Sequence, residues 1–357
     1  MTEDGRFLVF NYTRGNERRK DVGPRVTMVA DLLKDRVFEI GELQKSPPCV
    51  EFPFVESKEN YIVYGDLKNG FFRMDFARPG RGNAVKLCDS PHEFADMNTG
   101  PLDLIRLATH LTLTTDRKKA FLDAILVDPN GATNSVQGLL DLATGKFNRW
   151  GATTECVIDH GQLNPVRDDI ALCAWEFAWT GSGQAYQKKT GFYPRMWLVG
   201  SDGKRTMIPA KARNFASHEI WDDDGRGFSW CGNGLDHEIY HHDLASGVQE
   251  CVMPLPGGRH NTLSPDLKYV VYDNAPEKWW RGCKWRVGFY NRETKKNIWV
   301  YTARPALMPE GGQSKHHPDP HPQFVMNAKY IVSTASNADG HMDLYVTPVD
   351  QLIGLTR

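Results

Sequence analysis

The sequence predicts an all-β chain, a seven-bladed β-propeller. Three observations predict it: short strand-like runs punctuated by turn residues, little helical periodicity, and an internal repeat whose copies begin with histidine. The runs include YIVYGD from Tyr61, KYVVYDN from Lys268 and KYIVSTAS from Lys329. β-Branched and aromatic residues dominate them, which suits the pleated, half-buried surface of a strand. Asp202-Gly203, Asp224-Gly225 and Asn130-Gly131 lie between such runs, where tight hairpins need residues that tolerate positive φ. Helical periodicity predicts at most one short turn near Pro101–Ala108. Gly181–Thr190 is polar and glycine-rich and reads as a loop.

The repeat sets the architecture. Its copies start at His110 (HLTLTTDRKKAFL), His160 (HGQLNPVRDDIAL), His218 (HEIWDDDGRGFSW), His260 (HNTLSPDLKYVVY) and His321 (HPQFVMNAKYIVS). In each, a short strand leads into a polar turn, and a second strand follows. A sixth copy near Cys49, CVEFPFVESKENYIVY, lacks the histidine. The histidines are 50, 58, 42 and 61 residues apart. A multi-stranded unit recurring at about 40 to 60 residues is a propeller blade. Units often end in Asp-x-x-x-Gly, as in LLDLATGKFNRW and YHHDLASGVQECV, a turn suited to joining the two outer strands. Six copies plus the N-terminal strand FLVFNY make seven blades. The expected organisation is one propeller domain over residues 1–357, with the N-terminal strand closing the last blade.

Composition narrows the partners. With a net charge of −1, the surface has no strong field for nucleic acid or an anionic membrane, so neither is an expected partner. No run of 18 apolar residues marks a membrane span. The N-terminus has no apolar stretch long enough for a signal peptide, so the expected location is the cytoplasm, or outside it if a signal was removed. The seven scattered cysteines, never spaced CxxC, read as reduced buried thiols. No oligomeric state is implied.

Equivalent repeat positions are equivalent in space. His110, His160, His218, His260 and His321 are therefore expected to line one mouth of the central channel. A single blade-start histidine can serve as a plain inter-blade hydrogen-bond donor, but five at one position argue for a site. The stretch Gln313-Ser-Lys-His316-His317-Pro-Asp319-Pro-His321 adds imidazoles, a carboxylate and an amide, a donor set suited to manganese, nickel or zinc. Asp222, Asp223 and Asp224 lack the DxDxDG spacing of a calcium loop and read as a solvated turn.

From His160 to the C-terminus the chain resembles the oligogalacturonate lyase family, propeller enzymes of the cytoplasm. HGQLNPVRDDIALCAWE, RMWLVGSDGK, SHEIWDDDG, RHNTLSPD and DPHPQFVMNAKYIV carry the resemblance, in the family's order. It implies a uronate lyase that splits a 4-linked uronate by β-elimination, with oligogalacturonate the first substrate to expect. It implies His218 as the base, Arg195 beside it and His260 as the first metal histidine. The family's last metal motif, Gln-x-x-His-Pro-His-Pro, is met here by His316-x-x-Asp319-Pro-His321-Pro. His321 matches, Asp319 replaces a histidine and His316 stands where the glutamine would be. The implied ligands are His260, His316, Asp319 and His321. The implied cofactor is a divalent metal, manganese first, with zinc, nickel or calcium as alternatives.

These residue types suit the chemistry. The C5 proton of a uronate becomes acidic only when the neighbouring carboxylate is neutralised by a cation. A neutral histidine then removes it near neutral pH. An acidic oligosaccharide is the expected partner. His160, His110, Tyr193, Arg259 and Arg281 are candidate substrate-binding residues, and Trp221, Trp279, Trp280 and Tyr240 are candidate stacking aromatics. Two alternatives remain. One is an ulvan- or rhamnosyl-glucuronate-type propeller lyase acting through His110, His160, Tyr193 and Arg195. The other is a non-catalytic propeller that binds its partner.

Overall fold

The computed structural model describes residues 1–15, 22–41, 48–78, 83–94, 106–127, 131–176, 181–191, 194–210, 215–233, 238–254, 258–274, 285–301, 320–336 and 342–357. The chain forms two compact units. The first holds Met1–Thr13 and Pro24–Ala210, the second Arg14–Gly23 and Lys211–Arg357.

In the first unit, β1 (Phe7–Gly15), β2 (Val22–Asp31) and β3 (Arg36–Gly41) form a three-stranded sheet. Then come β4 (Val50–Phe52), β5 (Phe54–Glu56), β6 (Tyr61–Asp66), β7 (Gly70–Asp75) and β8 (Val85–Cys88). β9 (Ala108–His110), β10 (Thr112–Leu113), β11 (Lys119–Val127), β12 (Thr133–Asp141) and β13 (Phe147–Thr153) follow. β14 (Val157–Leu163), β15 (Ile170–Glu176), helix α1 (Gly181–Thr190), β16 (Met196–Gly200) and β17 (Arg205–Ile208) complete the unit. Strands β5–β8, β10–β13 and β14–β17 make three four-stranded sheets in sequence order, and β4 and β9 pair in parallel.

The second unit has β18 (Phe215–Trp221), β19 (Gly227–Asn233), β20 (Ile239–Asp243) and β21 (Gln249–Met253) in one sheet. β22 (Gly258–Leu263), β23 (Tyr269–Asn274), β24 (Arg286–Asn291) and β25 (Asn297–Tyr301) make the next. β26 (Gln323–Val325), β27 (Tyr330–Ser336) and β28 (Met342–Pro348) form a three-stranded sheet, and helix α2 (Val349–Thr356) ends the chain. Among the described residues this gives seven blades of three or four strands. Among the described residues the N-terminal strand neighbours β2, and the last sheet is β26–β28.

The core lies between neighbouring blades. β11 is buried at every position after Lys119, and β23 at every position after Tyr269. Both faces of such a strand meet another sheet, so FLDAILV and YVVYDN run without a solvent-facing alternation. Phe121, Leu139 and Trp150 pack with Ile158, Leu163, Ala171 and Val199 across one such junction.

The expected turns form. Gly203 and Gly225 take φ of 81° and 66° in the hairpins after β16 and β18. In the turns between outer strands, Asp141 accepts from the N–H groups of Ala143 and Thr144, and Asp243 from that of Ser246. Gly145 (φ 71°) and Gly247 (φ 67°) complete them, and Lys295 (φ 61°) takes the glycine's place after Asn291.

Two segments differ from expectation. Gly181–Thr190 is a helix, because Gln184 to Lys189 are sound helix formers that its two glycines disguised. Gly191 (φ 79°) closes it, its N–H bonded to the Gln187 carbonyl. Helix α2 was unforeseen because it is only two turns long. It buries Val349 and Leu352 against Val287, Phe289 and Ile331. No described helix is long and apolar enough to cross a membrane. Six cysteines are described and all are free thiols, although Cys251 is exposed rather than buried.

Candidate functional site

The histidine positions coincide with irregularities in the first strands of the blades. The β14–β15 register shifts between Asp159 and Gln162, the β18–β19 register between Ser217 and Ile220, and the β22–β23 register between Gly258 and Asn261. His160, His218 and His321 have φ of 50°, 57° and 43°. A left-handed conformation costs a non-glycine residue about 1–2 kcal/mol, and a bulge re-aims the side chain it carries. The strain turns each imidazole out of the pleat.

In the second unit three of these imidazoles gather. The His218 and His260 rings lie 3.9 Å apart between centroids, His260 and His321 3.5 Å, and His218 and His321 6.5 Å. His260 is buried, His218 half-buried and His321 exposed, so the group runs from the interior to the surface. Ser217 Oγ lies 2.8 Å from His218 Nδ1. Asp273 on β23, fully buried, accepts from the His260 N–H (2.9 Å) and from the His321 N–H (3.1 Å), and also meets His260 Nδ1 at 2.8 Å. The three rings meet side by side, edge-on between His218 and His260 and tilted by 31° between His260 and His321. His260 and His321, both expected metal ligands, are thus together, with the expected base His218 against them. His316 and Asp319 lie outside the described residues, as do Tyr193, Arg281, Trp279 and Trp280. Arg259 is half-buried, next to His260 on β22.

A second cluster lies in the first unit. His160 Nδ1 is 2.8 Å from Asp159 Oδ1, and Asp159 Oδ2 accepts from Arg106 Nη2 at 2.7 Å. Arg106 also pairs with Glu51, and the buried Arg195 with Glu176, whose carboxylate is 3.8 Å from His160 Nδ1. The His110 and His160 rings are 5.9 Å apart, and Phe52 stacks on His110 at 5.0 Å. Burial alone would raise Asp159 and lower His160. Their mutual pairing reverses both, leaving Asp159, with Arg106 and Arg195 beside it, below its ordinary range, and His160 above its own although Arg195 pulls it down. Asp123, fully buried near Asp159, is pushed up to about 6, chiefly by burial. Ligand atoms of Asp159, His160 and Glu176 lie within 4.8 Å of one another, close enough to share a metal, but Arg106 and Arg195 already neutralise the two carboxylates.

Other candidates resolve as packing. Trp221 is buried against Phe228, and Tyr240 stacks on Trp230 at 4.6 Å, so neither presents a face to a sugar. Asp222 bonds His241 Nε2 at 2.6 Å, and the triple-aspartate turn is a hairpin closure. Asp123 and Asp273 were missed from the sequence, although a signal existed. Each stands 13 residues after a repeat histidine, His110 and His260, on the second strand of its blade.

No protein-family model matches the chain, and no curated protein matches its sequence. Solved structures match its fold. An oligogalacturonate lyase in complex with manganese superposes with a TM-score of 0.70 at 17% identity, covering 98% of this chain and 87% of that one. An oligogalacturonate lyase from Vibrio parahaemolyticus gives 0.69 at 16% identity, covering 98% and 88%. The β-propeller domain of a trilobed protease from Pyrococcus furiosus gives 0.52 at 10% identity, covering 96% and 92%. The chain has the seven-bladed β-propeller fold, and its likeness to oligogalacturonate lyases is a likeness of fold.

Proposed function

We propose that this protein is a uronate lyase that cleaves a 4-linked acidic saccharide by β-elimination, with oligogalacturonate its first candidate substrate. The observation that carries the reading is the gathering of the His218, His260 and His321 rings in one unit, with His218 and His321 at positive φ. The fold shared with two oligogalacturonate lyases supports it.

In this reading His218 is the base. Neutral imidazole accepts the C5 proton, the C–H electrons form the C4=C5 double bond, and the C4–oxygen bond breaks. His260 and His321, with His316 and Asp319 as the further expected ligands, would hold a divalent metal, manganese first, which supplies positive charge to the substrate carboxylate. Arg259, next to His260 in the sequence, would add charge to the same carboxylate.

A second reading has its own observation. His110, His160 and Arg195 share the first unit's cluster, as an ulvan- or rhamnosyl-glucuronate-type lyase acting through them would require. His160 is poorly suited to be its base, since Asp159 holds the proton on it. It would serve there as the acid that protonates the leaving oxygen.

The test is ultraviolet absorbance of the new C4=C5 bond on oligogalacturonate, ulvan, glucuronan and rhamnosyl-glucuronate oligosaccharides, with manganese and with chelator. The expected result is a rise on oligogalacturonate that chelator abolishes and His218→Ala lowers at least about 100-fold. Activity kept by His218→Ala and lost by His160→Ala supports the second reading. No rise on any substrate refutes the lyase and favours a binding propeller.

A further inference from the structure

We infer that Asp273 is the positioning residue of the metal-binding histidines, fixing the tautomer of His260 and the placement of His321. The inference rests on the metal site proposed above and adds a residue that the sequence left unassigned.

The argument starts from donors and acceptors. Asp273 Oδ1 accepts the His260 N–H, and Oδ2 accepts the His321 N–H. A carboxylate receiving two backbone donors acts as an acceptor, so the proton of its third contact sits on His260 Nδ1. The Nε2 atom of His260 then carries the lone pair, the form a metal needs. A carboxylate that orients a ligating histidine through its other nitrogen is the usual outer support of a metal site.

The chain contains its own comparison. Asp123 occupies the corresponding place on β11 and accepts the Thr109 N–H (2.8 Å), the Gly161 N–H (2.8 Å) and the Thr109 hydroxyl (2.9 Å). Both carboxylates are fully buried and each accepts two backbone N–H groups far apart in sequence, Thr109 and Gly161 for Asp123, His260 and His321 for Asp273. The backbone task is the same in both. The backbone donors flank the repeat histidines in one case and are those histidines in the other, and the side-chain partner is a hydroxyl in the first and an imidazole in the second. Orienting the imidazole is therefore a task beyond the architecture of the blade.

The experiment uses nitrogen NMR of the histidine rings in the metal-free full chain, with His260 assigned by the loss of its signals in His260→Gln. Wild type is expected to show the Nδ1–H tautomer at His260. Asp273→Asn keeps an acceptor oxygen for the backbone but turns an amide N–H toward Nδ1, so the proton should move to Nε2. Manganese affinity, measured by calorimetry, should fall about 10- to 100-fold. Asp123→Asn should change neither readout. An Nε2–H tautomer in wild type overturns the inference even if Asp273→Asn fails to fold, and so does unchanged manganese affinity in a folded Asp273→Asn. The tautomer is read without metal or substrate, so a protein with no lyase activity would refute the proposed function and leave this result standing.

Discussion

Replacing the strained histidines by alanine and by glycine separates backbone strain from the work of the ring. His218 has φ 57° and His160 φ 50°, whereas His110 and His260 are not in the left-handed region. Both substitutions delete the imidazole, so its contacts cancel when the two variants are compared. Alanine keeps the Cβ clash of the left-handed conformation, about 1–2 kcal/mol, and glycine removes it. Glycine loses about 0.5–1 kcal/mol more through backbone entropy. The difference leaves the glycine variant more stable by about 0.5–1 kcal/mol at positions 218 and 160. At 110 and 260 only the entropy remains, and glycine should be the less stable by a similar amount. Urea unfolding of the eight variants reads these differences, and activity on the responsive substrate reads the ring, which both position-218 variants lack. Glycine less stable than alanine at both 218 and 160 would refute the claim that the fold is strained there.

Three further outcomes follow from the clusters. Arg106→Met leaves the buried Asp159 carboxylate without its guanidinium and should destabilise by about 3–5 kcal/mol in urea unfolding; adding Asp159→Asn should recover most of it. Asp123 and His160 both have raised folded pKa values, so each stabilises at low pH and loses that contribution as pH rises. Asp123 contributes fully below its unfolded value of 3.8 and loses the contribution as pH rises through about 6; Asp123→Asn should flatten that slope of stability against pH. His160 contributes fully below 6.5 and loses it as pH climbs past its raised folded value, a slope that His160→Gln should remove. Manganese at about 100 times its Kd should stabilise the fold by about 2.7 kcal/mol in unfolding measurements, and His260→Ala or His321→Ala should abolish the gain.

The strands were legible because their cause is local. YIVYGD, KYVVYDN and KYIVSTAS owe their β character to side chains that suit a pleated surface, and the turns owe theirs to residues that tolerate positive φ. The two helices were not legible. Gly181 and Gly183 hid good helix formers downstream, and the two turns of α2 are held by packing on Val287 and Phe289, which no local pattern reports. The histidine repeat found places where imidazoles gather, His110 with His160 and His218 with His260 and His321. It did not find the buried carboxylates, because an aspartate 13 residues on reads as an ordinary strand residue until its backbone partners are seen. Arg195 was expected beside His218, or with His110 and His160 in the alternative reading, and its guanidinium pairs with Glu176 near His160.

Strain and burial at these positions point the same way. A blade needs hydrogen bonds from its first strand to its second, and each bulge interrupts that ladder while forcing a histidine toward an unfavourable φ. Backbone strain of this kind persists only where the surroundings over-determine it, and it concentrates at functional sites. The over-determination is visible here, because Asp123 and Asp273 each accept two backbone N–H groups far apart in sequence. A fold that needed only a buried carboxylate to join its blades could place any residue at the bulge, and Thr109 shows that a threonine serves beside Asp123. The first unit sets a hydroxyl against its buried carboxylate, and the second sets an imidazole there, the ring whose tautomer the carboxylate fixes in the inference above.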